Sequence, residues 1–536
     1  MQKLRTALII GATSAAITFL FGGWSAVVVG VIAGAVIGMT YGQRSALRTP
    51  NGIGREAVVP GLVGGLVVVL GGVIHQFIVR PATGQSPFFT HTLRFFGSNA
   101  QIDSITVLII SSVVAILAAA AAAFLIGSAQ GLPPDKRNRQ IAFALGGFLL
   151  LFPFYEQITN LNWMGALITV QIYILLALGL NIVVGYAGLL DLGYAAFFAI
   201  GAYTTALLNS PRIEIQWNFW LVIWIAAAVA AIAGIVLGAP TLPLRGDYLA
   251  IVTLGFGEIV PVIFRNLIAV TIREPFTRFC FVGCDPAVEV RIACLYSCEG
   301  PLNLTGGEAG VNPIGRPVIP FTPDSLFGSS SYLPWYFLVL ALIVFSIFLI
   351  SRLRDSRIGR AWMAMREDEL AASQMGIDPV KTKLLAFSMG ATFSGFAGAF
   401  YGAYIAAIFP GVFDFSVSVI ILCMVILGGL GNMIGVIIGG ILIMGTDRLF
   451  LPQIATLLKK FMQVSVLPNV SNEALRDFLS TSVDPIQMRL ALFGIVLVIM
   501  MLVRPEGLVP SAERRAELHA GEEPRGAPVT ADEPTT

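Results

Sequence analysis

The chain has 536 residues, of which 56% are hydrophobic and only 12% are Asp, Glu, Lys or Arg, with a formal net charge of +2. Soluble domains carry about 25% charged residues, so the polar shell that a soluble enzyme or a disordered scaffold of this length needs is missing. A mean hydropathy of +0.83 points instead to a polytopic membrane protein, and the near-neutral charge without basic blocks leaves no footprint for nucleic acid.

A spanning helix needs about 20 mostly apolar residues, and on that measure the chain reads as all-α with about 14 transmembrane helices. They fall near 4–21, 24–42, 55–79, 105–126, 141–158, 166–184, 190–209, 219–240, 247–269, 334–350, 383–407, 414–428, 432–449 and 487–503. Lys3 and Arg5 before the first apolar run imitate a signal peptide, but no small-x-small cleavage site follows and Val27 onward is apolar again. The reading is therefore an uncleaved first helix. Gly30, Gly34, Gly38 and Gly42 recur once per turn, as do Ser394, Gly398 and Gly402, and Gly431, Gly435 and Gly439. Such stripes predict close helix–helix packing. Residues 1–130 read as an N-terminal membrane extension of four helices.

Lys and Arg in the loops orient the spans. With the N-terminus inside, Arg44, Arg48 and Arg55, then Lys136, Arg137 and Arg139, then Arg245, fall in cytoplasmic loops. The even span number puts the C-terminus inside as well, where Arg504, Arg514 and Arg515 follow the last span. Trp217, Trp220, Tyr332, Trp335 and Tyr336 then cluster at the outer interface, where amphipathic rings belong. The outer loop 270–333 carries Cys280, Cys284, Cys294 and Cys298. In an oxidising compartment these read as two disulfides of undetermined pairing, with zinc ligation and free thiols as the rivals. The cytoplasmic loop 351–382 is densely charged, with helical period from Arg360 to Met375 and stop signals at Gly376 and Pro379. An amphipathic helix held there between two spans suits a partner protein, with a helix lying on lipid headgroups as the alternative. The tail 511–536 has no apolar period and reads as disordered.

Enzyme chemistry is hard to find. No Gly-x4-Gly-Lys-Ser/Thr, His-Glu-x-x-His or Gly-x-Ser-x-Gly occurs, and His75, His91 and His519 are scattered, so no metal set or nucleophile is evident. Acidic residues at membrane depth are the better pointers, since burying one costs at least about 2.5–3.5 kcal/mol. Glu258 is flanked by glycines, with a helix tie or a transport-path role open to it. Asp191 lies between two spans and suits a cap on the helix that begins at Leu192-Gly193-Tyr194. Glu156 and Asp414 are near span ends, where a carboxylate can reach water.

At these residues the chain resembles a known family. Ala371-Ala372-x3-Gly376 in a cytoplasmic helix is similar to the coupling loop of ABC importer permeases, with Leu370 in the usual glutamate's place and Glu369 one step earlier. The blocks Asn181-Ile-Val-Val-Gly185-Tyr-Ala-Gly188-Leu-Leu-Asp191-Leu-Gly193 through Gly201-Ala-Tyr203, Arg245-Gly246-Asp247-Tyr248 through Thr253-Leu-Gly255-Phe-Gly257-Glu258, Thr305-Gly306-Gly307, and Arg504-Pro505-Glu506-Gly507-Leu508 resemble branched-chain amino acid permeases of the M type. They occur in the order expected, and the Cys-bearing insertion before Thr305 departs from the family's shorter loop.

The resemblance implies a permease core of about 10 helices over 136–510, after an extension of about 4. It implies a bacterial inner-membrane protein that binds no cofactor itself. An H-type permease, two cytoplasmic ATPase subunits using ATP and Mg, and a periplasmic binding protein would be its partners in the bilayer. The translocation path would involve Asn181, Gly185, Gly188, Asp191, Gly193, Gly201, Tyr203, Thr253, Gly255, Gly257, Glu258, Thr305, Gly306 and Gly307. The ATPases would be met by Arg360, Arg366, Glu367, Asp368, Glu369, Ala371, Ala372 and Gly376. The alternatives are a related importer for urea or short amides, and an ion-coupled secondary transporter, which needs a midplane ion site of its own.

Overall fold

The computed structural model describes residues 10–15, 18–19, 24–46, 53–83, 86, 88, 90–95, 98–129, 134–159, 161–211, 216–241, 247–268, 304–318, 326–328, 331–466, 489–503 and 507–508. The cysteine-bearing segment, the motif residues Arg245, Gly246, Arg504, Pro505 and Glu506, and the tail 511–536 lie outside them. The chain divides into two compact units, one of residues 1–165 with 447–489, the other of 166–446 with 490–536.

In the first unit, helices α1 (Ser25–Ala46), α2 (Ile53–Ile74) and α3 (Ser104–Ala129) form a mutually packed trio. Small residues decide how close they come. A Cβ at Gly30 would lie 2.7 Å from the Ala115 carbonyl oxygen, one at Gly34 would overlap that of Ala119, and one at Gly38 would lie 2.7 Å from that of Ala123. The glycine ridge of α1 is thus met by an alanine ridge of the same spacing on α3, and backbone packs on backbone. Between α2 and α3 stands an antiparallel hairpin of β1 (Thr90–Phe95) and β2 (Ser98–Asp103), in register from Thr90 opposite Asp103 to Phe95 opposite Ser98. The apolar count did not anticipate this short polar ladder. Helix α4 (Pro134–Thr159) follows, and the Tyr155 hydroxyl donates to the Trp24 carbonyl at 2.6 Å.

The second unit opens with α5 (Met164–Leu180), which runs on as a π-helical segment, Asn181–Tyr186. Then come α6 (Tyr194–Asn209), α7 (Phe219–Gly238) and α8 (Asp247–Asn266). Further along the chain come α9 (Tyr332–Arg354), two short helices α10 (Arg357–Glu367) and α11 (Glu369–Gln374), and the long α12 (Pro379–Ile405). Helices α13 (Phe415–Gly428) and α14 (Met433–Gly445) close the core, followed in the chain by α15 (Leu451–Phe461) in the first unit and α16 (Arg489–Val503). Helix α12 is the axis of the second unit, packed on both α6 and α7. Gly201 of α6 crosses Gly395 of α12, where a Cβ would come within 2.7 Å of the Gly395 Cα, and Gly398 faces the α6 backbone. Gly439 brings α14 against α13, as expected from its stripe, whereas Gly431 sits in the intervening turn with φ +78°.

Among the described residues, nine helices are long and apolar enough to cross a membrane. These match nine of the expected spans, so the count of fourteen is not reproduced by length and apolarity. Helix α6 has only 16 residues and α16 only 15. Helix α1 contributes a short apolar stretch, Ser25–Thr40, and α4 spends its first turns on charge. Residues 4–9, 16–17 and 20–21 of the expected first span are outside the description. The aromatic belt is also partly different: Trp217, Trp220 and Tyr332 are exposed, but Trp335 and Tyr336 are buried. Trp335 packs edge-on against Phe400 and Tyr404 of α12, because it stands on the face of α9 that is turned toward the core.

Candidate functional site

The charged loop 351–382 is held by a series of specific contacts. Ser356 caps α10 through the Gly359 N–H. Trp362 is wholly buried, and its indole N–H donates to the Thr382 carbonyl at 2.8 Å, fastening α10 to the first turn of α12. The single helix expected from Arg360 to Met375 is in fact two. Asp368 leaves helical geometry (φ −152°, ψ 107°), and its Oδ1 accepts the N–H groups of Leu370 and Ala371 at 2.8 and 3.0 Å. A short carboxylate competes well for helix-start amides, so the chain restarts as α11. Gly376 ends α11 at φ +87°, as its placement predicted, with the Ile377 N–H returning to the Ala372 carbonyl at 3.2 Å. Asp378 then caps α12, and the backbone N–H and the ammonium of Lys381 hold its carboxyl below the usual carboxylate range.

The residues expected to meet a partner separate into two sets. Arg360, Glu367, Asp368, Ala371 and Gly376 are exposed, and beside them Leu370 and Met375 stand 70% and 84% exposed. Ala372 is buried, and Glu369 turns back to an ion pair with the buried Lys383, Nζ to Oε1 2.7 Å. Arg366 also turns inward. Its Nη1 donates to the Gly185 carbonyl at 2.6 Å, and its stem lies over Gly188, where a Cβ would come 2.8 Å from the Arg366 Cγ. Gly188 has φ +71° as well, so glycine is required there by both space and backbone.

Two motifs far apart in sequence are therefore one structure. Asn181 is fully buried on the π segment, and its Oδ1 accepts the Gly431 N–H at 3.0 Å. Gly185 leaves room for that side chain, since a Cβ there would overlap it. Gly507, at φ +85°, lies against Gly429, and the Leu508 N–H donates to the Leu427 carbonyl at 2.9 Å. The π segment, the α13–α14 turn and Gly507-Leu508 thus meet beneath α10. Spacing along the chain carries no signal for this.

One step along, Asp191 is buried and its Oδ1 accepts the Gly193 N–H at 2.9 Å. It does not cap α6 as expected: Gly193 precedes the helix, and the Ala195 N–H donates to the Ser418 hydroxyl of α13 at 2.9 Å. Thr253 of α8 accepts the Leu192 N–H at 3.1 Å. A small cavity lies here, lined by Asp191, Phe197, Leu237, Thr253, Phe256 and Phe387. Gly193 and Gly257 serve the approach of α6 and α8, with a Cβ at Gly257 falling 3.0 Å from the Gly193 Cα.

At the opposite end of α8, Thr305 is buried and bonds the Leu267 carbonyl, while Gly306 and Gly307 adopt φ +71° and +60°. Tyr203 is buried and stacked on Phe264, centroids 3.9 Å apart. Here the sequence reading missed an ion pair: Arg265 Nε lies 3.2 Å from Glu308 Oε1. Its only signal was Glu308 directly after the Thr-Gly-Gly motif. Glu258 is exposed on α8, and at Gly255 a Cβ would meet nothing within 4 Å. Among the described residues no group of three His, Cys, Asp or Glu side chains could hold a metal.

Nine apolar spans among the described residues, a short helix pair fastened to their ends and a buried polar seam beside it fit a multi-pass membrane permease. The sequence pattern of the family described as branched-chain amino acid transport system / permease component matches residues 162–502, and the chain belongs to that family. The chain is 38% identical over 356 residues to the high-affinity branched-chain amino acid transport system permease protein LivM of Escherichia coli (strain K12), covering 66% of this chain and 71% of that one. With the probable LivM of Methanocaldococcus jannaschii it shares 26% identity, over 63% and 90% of the two chains. With LivH of Salmonella typhimurium it shares 30%, over 25% and 42%. No solved structure is matched.

Proposed function

We propose that this chain is the M-type permease of an ATP-driven importer of branched-chain amino acids in a bacterial inner membrane. It works with an H-type permease, two cytoplasmic ATPase subunits that use ATP and Mg, and a periplasmic binding protein. The observation that carries the reading is the α10–α11 pair. Leu370 and Met375 are the apolar knob of a capped, braced element on the cytoplasmic face, and such a patch marks a protein contact. Bracing through Trp362, Glu369 and Arg366 lets a push on the knob reach α12 and the π segment rather than dissipate in a flexible loop. Packed interfaces of this kind change by discrete steps.

Co-purification from membranes and uptake of labelled leucine test it. The unaltered chain should bring down two ATPase chains and a second permease and support ATP-dependent uptake. Leu370→Asp alters an exposed side chain, and should lose the ATPases and at least 90% of uptake while the second permease stays bound. Leucine uptake that continues after the ATPases are stripped away would refute the reading.

A further inference from the structure

Helix α8 carries charge along one face. Ile251, Gly255, Glu258, Val262 and Arg265 follow one another at intervals of three and four residues, so they share a stripe. Within this chain the stripe is open: Ile251, Glu258 and Val262 are exposed and Gly255 faces empty space. Glu258 and Arg265 are two turns apart, about 10 Å along the axis. At the outer end Arg265 is paired with Glu308, with side chains 41% and 76% accessible. Glu308 is presented by a tight turn, Gly307–Ala309, where a Cβ at Gly307 would lie 2.8 Å from Ile268 Cδ1 and one at the following Gly310 2.9 Å from Phe409 Cδ1, both of these side chains being exposed. Beneath the pair the Tyr203 hydroxyl is buried without a hydrogen-bond partner, within electrostatic reach of both Arg265 and Glu308.

We propose that Arg265 and Glu308 form the outer station for an α-amino acid zwitterion, Arg265 taking its carboxylate and Glu308 its ammonium, with Ile268 and Phe409 beside its apolar side chain. Glu258 is the next station inward for the ammonium on the same face. A guanidinium and a carboxylate side by side match the two charges that every amino acid carries, and neither urea nor an amide offers that pair. The proposal rests on the transport reading above and names where its substrate is first held.

The test uses the assembled transporter in proteoliposomes, with leucine supplied as loaded binding protein. Arg265→Gln and Glu308→Gln should each lower the maximal uptake rate at least tenfold while KM for the loaded binding protein stays within twofold, and Arg265→Lys should keep most of the rate. Exchanging the charges (Arg265→Glu with Glu308→Arg) should restore the ion pair and not the rate, because the zwitterion would then face Glu258 the wrong way round. A raised KM at unchanged maximal rate would make the pair a docking contact for the binding protein and overturn the proposal. Full rescue by the exchanged pair would make it structural, with the same consequence. Absence of leucine uptake by the unaltered complex would instead sink the transport reading itself.

Discussion

Asn181 shows what a single polar residue does at membrane depth. Its Oδ1 satisfies the Gly431 N–H across 250 residues of sequence, in a place where water cannot substitute. Replacing it with leucine keeps the volume and leaves that N–H unpaired, at a cost of about 1–3 kcal/mol. Asn181→Leu should therefore lower the unfolding temperature of the detergent-solubilised protein, with Asn181→Asp less affected because an acceptor oxygen remains. Equal stability of the leucine variant and the parent would show that the turn does not depend on this bond. Arg366 is comparable: its charge suggested an outward contact, but its guanidinium ends on a backbone carbonyl of the π segment.

At the scale of elements, the short pair α10–α11 illustrates how a local competition overrides periodicity. Trp362 and Met365 are buried as the apolar rhythm requires, yet Leu370, which continues that rhythm, is exposed. The break at Asp368 explains the difference, since α11 starts afresh and is free to turn. Its cap contributes about 1 kcal/mol. Asp368→Ala should speed hydrogen exchange of the Leu370 and Ala371 amides about fivefold, and Asp368→Asn should leave it nearly unchanged. No change in the alanine variant would mean that α11 is held by its ion pair, Glu369 to Lys383, and not by its cap. The motif Ala371-Ala372-x3-Gly376 was legible because Gly376 needs φ +87°, a local demand. The split helix was not, because Asp and Glu read alike as charges in a helical period.

The whole molecule consists of two units whose cohesion has different sources. The first rests on a glycine ridge meeting an alanine ridge, and the second on α12 threaded between α6 and α7. The family pattern begins at residue 162, so it covers the second unit's helical core and leaves the N-terminal helices α1 to α4 outside. Thermal unfolding of the isolated chain should show two transitions. Gly34→Leu, which would drive a side chain into the Ala119 backbone, should lower one of them, and Gly201→Leu, aimed at Gly395, the other. A single transition lowered by both variants would show one cooperative body.

The sequence by itself determined the membrane class, most of the spans, the close-packing glycines and the family, since each of these follows from composition, period or a short local pattern. What only the tertiary structure decided is which of the marked residues meet. Asn181 with Gly431, Arg366 with Gly185, Glu369 with Lys383 and Arg265 with Glu308 are pairings between separate elements. A one-dimensional pattern specifies the face on which a side chain stands. The neighbour it finds there depends on how helices cross, which the packed small residues of other helices set. The scarcity of charge thus acquires a meaning: several of the few charged groups brace the α10–α11 pair from within, and two more stand together at the C-terminal end of α8.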